Sequence, residues 1–256
     1  MTIKISKPKN GLDDLLSRQD YLVTQGNDLA KSFGNLSAFE HKVLDYCFSM
    51  VKKSDNINQQ YYLDALDIIR HLGLNASGQN YNRIAKAFKA LNEKTAMYVP
   101  IIKNGVRGIS MFQLFDEIEY MEDGKTMFSF SRKAAPYVFD LVDNFYSFKL
   151  SELSKVTSKY GLILLKIWES KRMGKSTSTV ISGSLDEWQD WFLGENKKSN
   201  EAAGKFKQRC LLRGMENLDK VYPNVDFDLE TIYDHRKTIG FKLTINGTPH
   251  GKGSKL

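Results

Sequence analysis

The first helical stripe of apolar residues starts near position 36. Phe39, Val43, Leu44, Cys47, Phe48 and Val51 recur at three- and four-residue spacing, which puts one helix face on a core. Ser37 and Glu40 stand before it as an S-x-x-E capping box. In such a box the hydroxyl takes one orphan N–H and the carboxylate reaches back for another. Tyr61-Tyr62-Leu63 predicts a short strand, and Ala65 to Leu72 a short helix that Gly73 stops. A second stripe, Tyr81, Ile84, Ala85, Phe88 and Leu91, predicts a helix over 80–92. Strands follow at 96–102 and 109–120, joined by the basic loop Lys103-Asn104-Gly105-Val106-Arg107. An Asp-Gly turn at 122–125 leads into a third strand, 126–131, and a helix, 134–142. This order of helix, strand, helix, helix, strand, wing loop and strand is that of a winged helix-turn-helix.

The order then returns. Residues 158–170 predict a helix, 178–181 a β-branched strand, and 184–193 a short helix opened by a second S-x-x-E box, Ser184 and Glu187. Gly194 ends that helix, and a longer one runs over 199–221. Strands at 227–233 and 238–245 flank the turn Asp234-His235-Arg236-Lys237. Leu72-Gly73-x-Asn75 recurs as Leu193-Gly194-x-Asn196, and Phe39 and Tyr160 share the same offset of 121 positions. The fold class is therefore α+β, a tandem pair of winged helix-turn-helix domains related by an internal structural repeat. The expected division is a flexible leader over 1–30, an N-terminal winged helix over 31–148, a C-terminal one over 149–246 and a disordered tail over 247–256. Residues 144–150 serve as the linker. Leu15, Leu22 and Leu29, seven apart, leave a short dimer helix open for the leader.

Charge sharpens this division. The chain of 256 residues carries 37 Lys and Arg against 30 Asp and Glu, a formal +7. Residues 1–148 hold 18 basic and 17 acidic residues, and residues 149–256 hold 19 and 13. Nearly all the excess lies in the second half, as suits a polyanionic partner met mainly there. The basic N-terminus lacks the apolar run of a secretory signal. The apolar stretch 160–165 is far short of the roughly 20 residues of a membrane span. Two cysteines, Cys47 and Cys210, make no disulfide framework. A protein of the reducing cytoplasm, without a membrane partner, is expected.

In a winged helix the second helix of the pair enters the major groove and the wing follows the backbone or minor groove. In the second half that helix offers Lys205, Lys207, Gln208, Arg209 and Arg213. Lys205, Gln208, Arg209 and Arg213 share a face by i, i+3, i+4 and i+8 spacing, one-sided and without interleaved acids. Arg reads guanine bidentately, Gln reads adenine, and Lys serves base or phosphate. Lys197, Lys198, Ser199 and Asn200 lead into the helix N-terminus, where backbone N–H groups accept phosphate. Arg236 and Lys237 lie on the wing. In the first half, Asn80, Asn82, Arg83, Lys86 and Lys89 are the matching helix residues, with Lys103 and Arg107 on the wing loop.

Catalytic patterns are missing. His41, His71, His235 and His250 are scattered, with no H-E-x-x-H or Cys–His metal spacing. Gly174-Lys175-Ser176 lacks the first glycine of a phosphate loop, since Glu169 stands there. Trp168, Trp188 and Trp191 are expected in the core. Asp116, Glu117 and Glu119 read as a solvated or partner-facing strand. No cofactor, metal or catalytic residue is expected. A nicking enzyme would need a paired-histidine metal site beside its tyrosine.

The second half carries a family pattern. Thr157-Ser158-Lys159-Tyr160-Gly161-Leu162-Ile163-Leu164-Leu165 is followed by the 185–194 helix, Phe206-Lys207-Gln208-Arg209-Cys210-Leu211 and Glu216-Asn217-Leu218. Arg236-Lys237-x-Ile239-Gly240-Phe241-x-Leu243-x-Ile245 closes it. In the first half, Asn35-Leu36-Ser37-x-x-Glu40 and Tyr81 open the matching helices. Over residues 28–246 the chain resembles the replication initiator (Rep) proteins of theta-replicating, iteron-bearing plasmids. The resemblance implies binding to repeated origin DNA through both domains, the C-terminal one dominant. It also implies a dimer formed through the first domain, repression of its own promoter, duplex opening and recruitment of host replication proteins, including the replicative helicase. Ile163 and Leu165 replace an Arg and a Tyr frequent in the family, which argues against polar contacts from this helix but not against the fold. The alternative is a transcriptional regulator with tandem winged helices.

Overall fold

The computed structural model describes residues 22–139, 145–172, 176–194 and 201–249. Its first strand, β1 (Leu22–Gly26), runs into a 3-10 helix (Asn27–Lys31). The Ser37 box then closes as expected. Glu40 N donates to Ser37 Oγ at 3.3 Å, and Ser37 N donates to Glu40 Oε2 at 2.6 Å. It opens α1 (Ala38–Phe48), which buries Val43, Leu44, Cys47 and Phe48. Strand β2 (Gln60–Asp64) leads to α2 (Ala65–His71), capped by Asp64 and ended by Gly73 at φ +67°. Helix α3 (Gly78–Lys94) starts at the Ser77 cap and buries Ile84, Ala87, Phe88 and Leu91.

Four strands come next. Among the described residues, β3 (Ala96–Lys103) pairs only with β4 (Val106–Gln113), across the two-residue turn Asn104-Gly105, both at positive φ. That is the turn whose twist suits a hairpin. β5 (Phe115–Tyr120) and β6 (Lys125–Phe130) form a second hairpin and join β2 in the order β2-β6-β5. After α4 (Ala135–Val138), β7 (Phe145–Lys149) pairs antiparallel with β1, Leu22 opposite Lys149 and Gly26 opposite Phe145.

The second half begins with α5 (Leu150–Lys155) and α6 (Lys159–Lys171). Asn217 caps α6 from a distance. Its Oδ1 accepts from Ser158 N at 3.0 Å and its Nδ2 donates to Thr157 Oγ1 at 3.1 Å. Strand β8 (Ser178–Ser184) and α7 (Leu185–Leu193) meet at the Ser184–Glu187 box, and Gly194 at φ +82° ends α7. One continuous helix then comprises α8 (Ala203–Phe206), a π-helical segment (Lys207–Leu212) and α9 (Arg213–Val221). Strands β9 (Asp226–Asp234) and β10 (Lys237–Asn246) complete a sheet of order β8-β10-β9. This order repeats β2-β6-β5, so the internal repeat is one of topology.

The halves share a single buried core. Trp168 and Trp188 are wholly buried within it, and Trp188 Nε1 donates to Phe241 O at 2.9 Å. Ile163 and Leu165 are buried too, so the departure from the family pattern fills core rather than surface. Helix α1 packs on α5 and α6 through charged groups as well as apolar ones. Lys166 Nζ lies 2.5 Å from Asp45 Oδ1, with side chains 4% and 0% exposed. Lys42 Nζ donates to Ser154 O and Lys159 Nζ to Gly34 O, each at 2.8 Å.

Several expectations need correction. Residues 22–30 are no flexible leader and no heptad helix: β1 is held by β7, and Leu29 and Ala30 are buried. Within the expected linker, residues 145–150 instead supply β7 and the first residue of α5. The expected strand 109–120 breaks at Leu114 into β4 and β5, which belong to different sheets. The expected helix over 199–221 takes its first α-helical residue at Ala203 and changes to π geometry at Lys207. Order continues past 246: Gly247 N donates to Thr177 O at 2.7 Å and Pro249 is buried. Residues 1–21 and 250–256 lie outside the described residues.

Candidate nucleic-acid interface

In the second half, α7 and the α8–α9 helix form the helix-turn-helix. Buried Phe206, Cys210, Leu211 and Leu218 fix which side of the second helix faces the core. The opposite side brings Lys205, Gln208, Arg209 and Arg213 together, with Leu212 and Glu216, around one shallow surface depression. All four candidates of the predicted face therefore stand side by side. Lys207 does not join them, since its Nζ donates to Thr231 Oγ1 on β9 at 3.1 Å. Lys197, Lys198, Ser199 and Asn200 lie outside the described residues.

The π segment sits in the middle of this face. A π-helix bonds i to i+5 and so takes up one extra residue, which shifts the angular register of the residues after it; such bulges are frequent at functional sites. Arg209 lies inside the segment and Arg213 just after it.

Contrary to the expectation from spacing, the face is not free of acids. Glu201 Oε2 lies 2.9 Å from Arg209 Nη2, and Glu201 Oε1 lies 3.9 Å from Lys205 Nζ. Residues 201, 205 and 209 stand at i, i+4 and i+8, so the signal is present in the chain. Burial lowers the guanidinium pKa of Arg209, but Tyr160, Cys210 and Glu201 outweigh it and hold the pKa above the ordinary value. Burial and a hydrogen bond to Cys210 push Tyr160 up to about 12. A cation thus projects beside Tyr160, Cys210 and the Glu201 carboxylate.

Arg236 and Lys237 stand exposed where β9 turns into β10. The turn depends on His235 at φ +52°, in the left-handed region. Tyr233, beside it, is also exposed; the sequence pattern marks it only as a strand residue.

The first half is less concentrated. On α3, Asn82, Lys86 and Lys89 are exposed on one face, and Lys89 pairs with Glu93 at 3.7 Å. Arg83 instead lies over the Phe39 ring at 3.8 Å. Asn80 is tied to the preceding turn, donating to Asn75 Oδ1 at 2.7 Å. Lys103 and Arg107 lie near the tip of the β3–β4 hairpin, which has no counterpart among the described residues of the second half. By strand order the wing equivalent to β9–β10 is β5–β6, where Asp116, Glu117, Glu119, Glu122 and Asp123 are exposed. The expected basic wing of the first half is thus an added hairpin, and the true wing is acidic.

The family model for the initiator replication protein, WH1, matches residues 22–169, more than half of the chain. The chain belongs to this initiator family. The match starts at the first residue of β1 and runs into α6, which accounts for order where a leader was expected. The crystal structure of the Pi initiator protein in complex with iteron DNA superposes with a TM-score of 0.67 at 13% identity. The likeness covers 90% of this chain and 98% of that one, and it is a likeness of fold. Domains 2 and 3 of RctB are similar at a TM-score of 0.45 and 14% identity, covering 88% and 85% of the two chains. No curated protein matches the chain. Among the described residues of this initiator, no group of three or more His, Cys, Asp or Glu is placed to hold a metal, and no helix is long and apolar enough to cross a membrane.

Proposed function

We propose that this initiator starts plasmid replication by binding direct repeats at its origin. The α8–α9 helix enters the major groove through Lys205, Gln208, Arg209 and Arg213. The Arg236–Lys237 turn follows the adjacent backbone, and Lys197, Lys198, Ser199 and Asn200 meet phosphate at the helix entry. The second half makes the main contacts and the first half adds weaker ones through Asn82, Lys86 and Lys89. The observation that carries this reading is the one-sided row on the second helix, opposite a wholly apolar face. The fold relative in complex with iteron DNA supports the choice of ligand. The protein acts in the cytoplasm by binding and distorting DNA, without a bond-making step of its own, and delivers host replication proteins, the helicase among them.

The same reading includes self-association through the first half. On one face of the β3–β4 hairpin, Ile102, Ile109 and Met111 are exposed, with Tyr98 half-exposed. An isolated two-stranded hairpin is marginal in water, and contiguous exposed apolar surface marks an interaction site. A second copy covering this hairpin gives the dimer that represses the initiator's own promoter.

The test is a footprint of the purified protein on the DNA flanking its gene, at near-physiological salt with competitor. Protection of a regular series of direct repeats, each about two DNA turns long, is expected. Protection of a single inverted repeat over a promoter would make the protein a regulator. No specific protection would refute sequence-specific binding.

A further inference from the structure

Gln189 is wholly buried, yet both ends of its side-chain amide are spent on the backbone of one residue, Glu201. Its Nε2 donates to Glu201 O at 2.7 Å, and its Oε1 accepts from Glu201 N at 3.0 Å. Helix α7 is thereby tied to the backbone just before α8 by a side-chain amide that imitates a strand partner. A buried polar side chain is costly unless satisfied, and this one is satisfied only when Glu201 occupies this position. The Glu201 side chain, 17% exposed, then lies against Arg209. Arg209 Nε is buried and its Nη2 lies 2.9 Å from Glu201 Oε2, while the side chain as a whole stays 40% exposed. Guanine is read by two parallel N–H groups, and such a fork discriminates only when held in one orientation.

We infer that Glu201, clamped by Gln189, is a positioning residue that fixes Arg209 for a guanine and so sets sequence specificity. The inference rests on the origin-binding reading above. Glu201 makes no base contact itself. Its negative charge near the phosphates opposes binding to any DNA, while its grip on Arg209 favours one sequence. It therefore lowers non-specific affinity and raises discrimination together, which an ordinary surface pair would not do.

The experiment is selection of bound sequences from a random DNA pool, followed by titration on the selected site and on a scrambled one. Wild type, E201A, E201Q, R209A and E201A/R209A are compared, with melting curves for each. For E201A, discrimination at the guanine position falls about tenfold or more, while binding to scrambled DNA is unchanged or tighter. E201Q, which keeps an acceptor without the charge, falls between E201A and wild type. In the R209A background, E201A has no further effect on discrimination, because its action runs through Arg209. Equal losses in both backgrounds, or wild-type discrimination in E201A, would overturn the assignment. Loss of binding to both DNAs in E201A and E201Q with lowered melting temperatures would make Glu201 a folding residue and overturn it as well. A wild-type protein that enriches no sequence overturns the DNA-binding reading, and this inference with it.

Discussion

Lys166→Met tests how the two winged helices are held together. Its ammonium and the Asp45 carboxylate are 2.5 Å apart and almost fully buried, joining α6 of one half to α1 of the other. At an effective dielectric of about 20, the Coulomb attraction at this distance is roughly 6–7 kcal/mol. Desolvation costs several kcal/mol per ion, so the pair contributes little net stability. Removing one partner is different, because the other charge stays buried. Lys166→Met should cost about 3–5 kcal/mol, a fall in Tm of roughly 6–20 °C for a chain of this size. Asp45→Leu alone should cost a similar amount. The double variant, with methionine and leucine filling the same space, should recover most of the loss or exceed wild type by about 1–4 kcal/mol. Thermal and denaturant melts of the four proteins, at constant pH and salt, read this cycle directly. A Lys166→Met protein melting within about 2 °C of wild type would refute a desolvated pair. So would additive losses in the double variant.

Other outcomes rest on the same geometry. His41 is 2% exposed, and burial, then Lys166 and Lys159, hold its pKa well below 6.5. Below pH 6.5 the unfolded chain takes up a proton that the folded chain refuses, so stability falls as pH drops, by up to about 1.4 kcal/mol per unit; melts between pH 7 and 5 should show this slope reduced in His41→Leu. At Gly34 a Cβ would lie 2.5 Å from Trp191 O and 2.8 Å from Gly194 N, both backbone of the other half. Gly34→Ala should cost about 1–3 kcal/mol by overpacking, measured by urea titration. In gel-shift titrations Arg209→Ala should cost about 1–3 kcal/mol at one guanine position, whereas Lys205→Ala should weaken all sequences and flatten the salt slope by about one unit. Ile102→Glu with Met111→Glu, on the exposed hairpin, should yield monomers in analytical ultracentrifugation without loss of thermal stability.

The legibility of the fold in the sequence divides by range. Both capping boxes, the Gly73 and Gly194 stops and the Asn104-Gly105 turn are settled within a few residues, and each lies where the spacing puts it. The β1–β7 pair joins segments more than a hundred residues apart, so Leu22 to Gly26 reads as polar leader without its partner. The first wing is misplaced by spacing for a related reason. Two hairpins with good turns succeed α3, and local signals cannot rank them; only the shared order β2-β6-β5 and β8-β10-β9 identifies β5–β6 as the repeat's wing.

The exposed row on the α8–α9 helix shows where helical spacing stops being sufficient. Lys205, Gln208, Arg209 and Arg213 are legible as a face, and that face exists. Spacing alone does not separate the reach of Lys207 from theirs, since its destination is Thr231 on a strand that arrives 24 residues later. Nor does spacing give Glu201 its role. An acid at i−4 from a lysine is ordinarily a weak surface pair; the burial of Gln189 behind it makes it a fixed one. The candidate reading surface is therefore composed by three elements. The α8–α9 helix supplies the side chains, Glu201 supplies the carboxylate, and the amide on α7 holds the Glu201 backbone. A substitution at Gln189, remote from the exposed row, should for that reason alter which sequence is bound before it alters how tightly DNA is held.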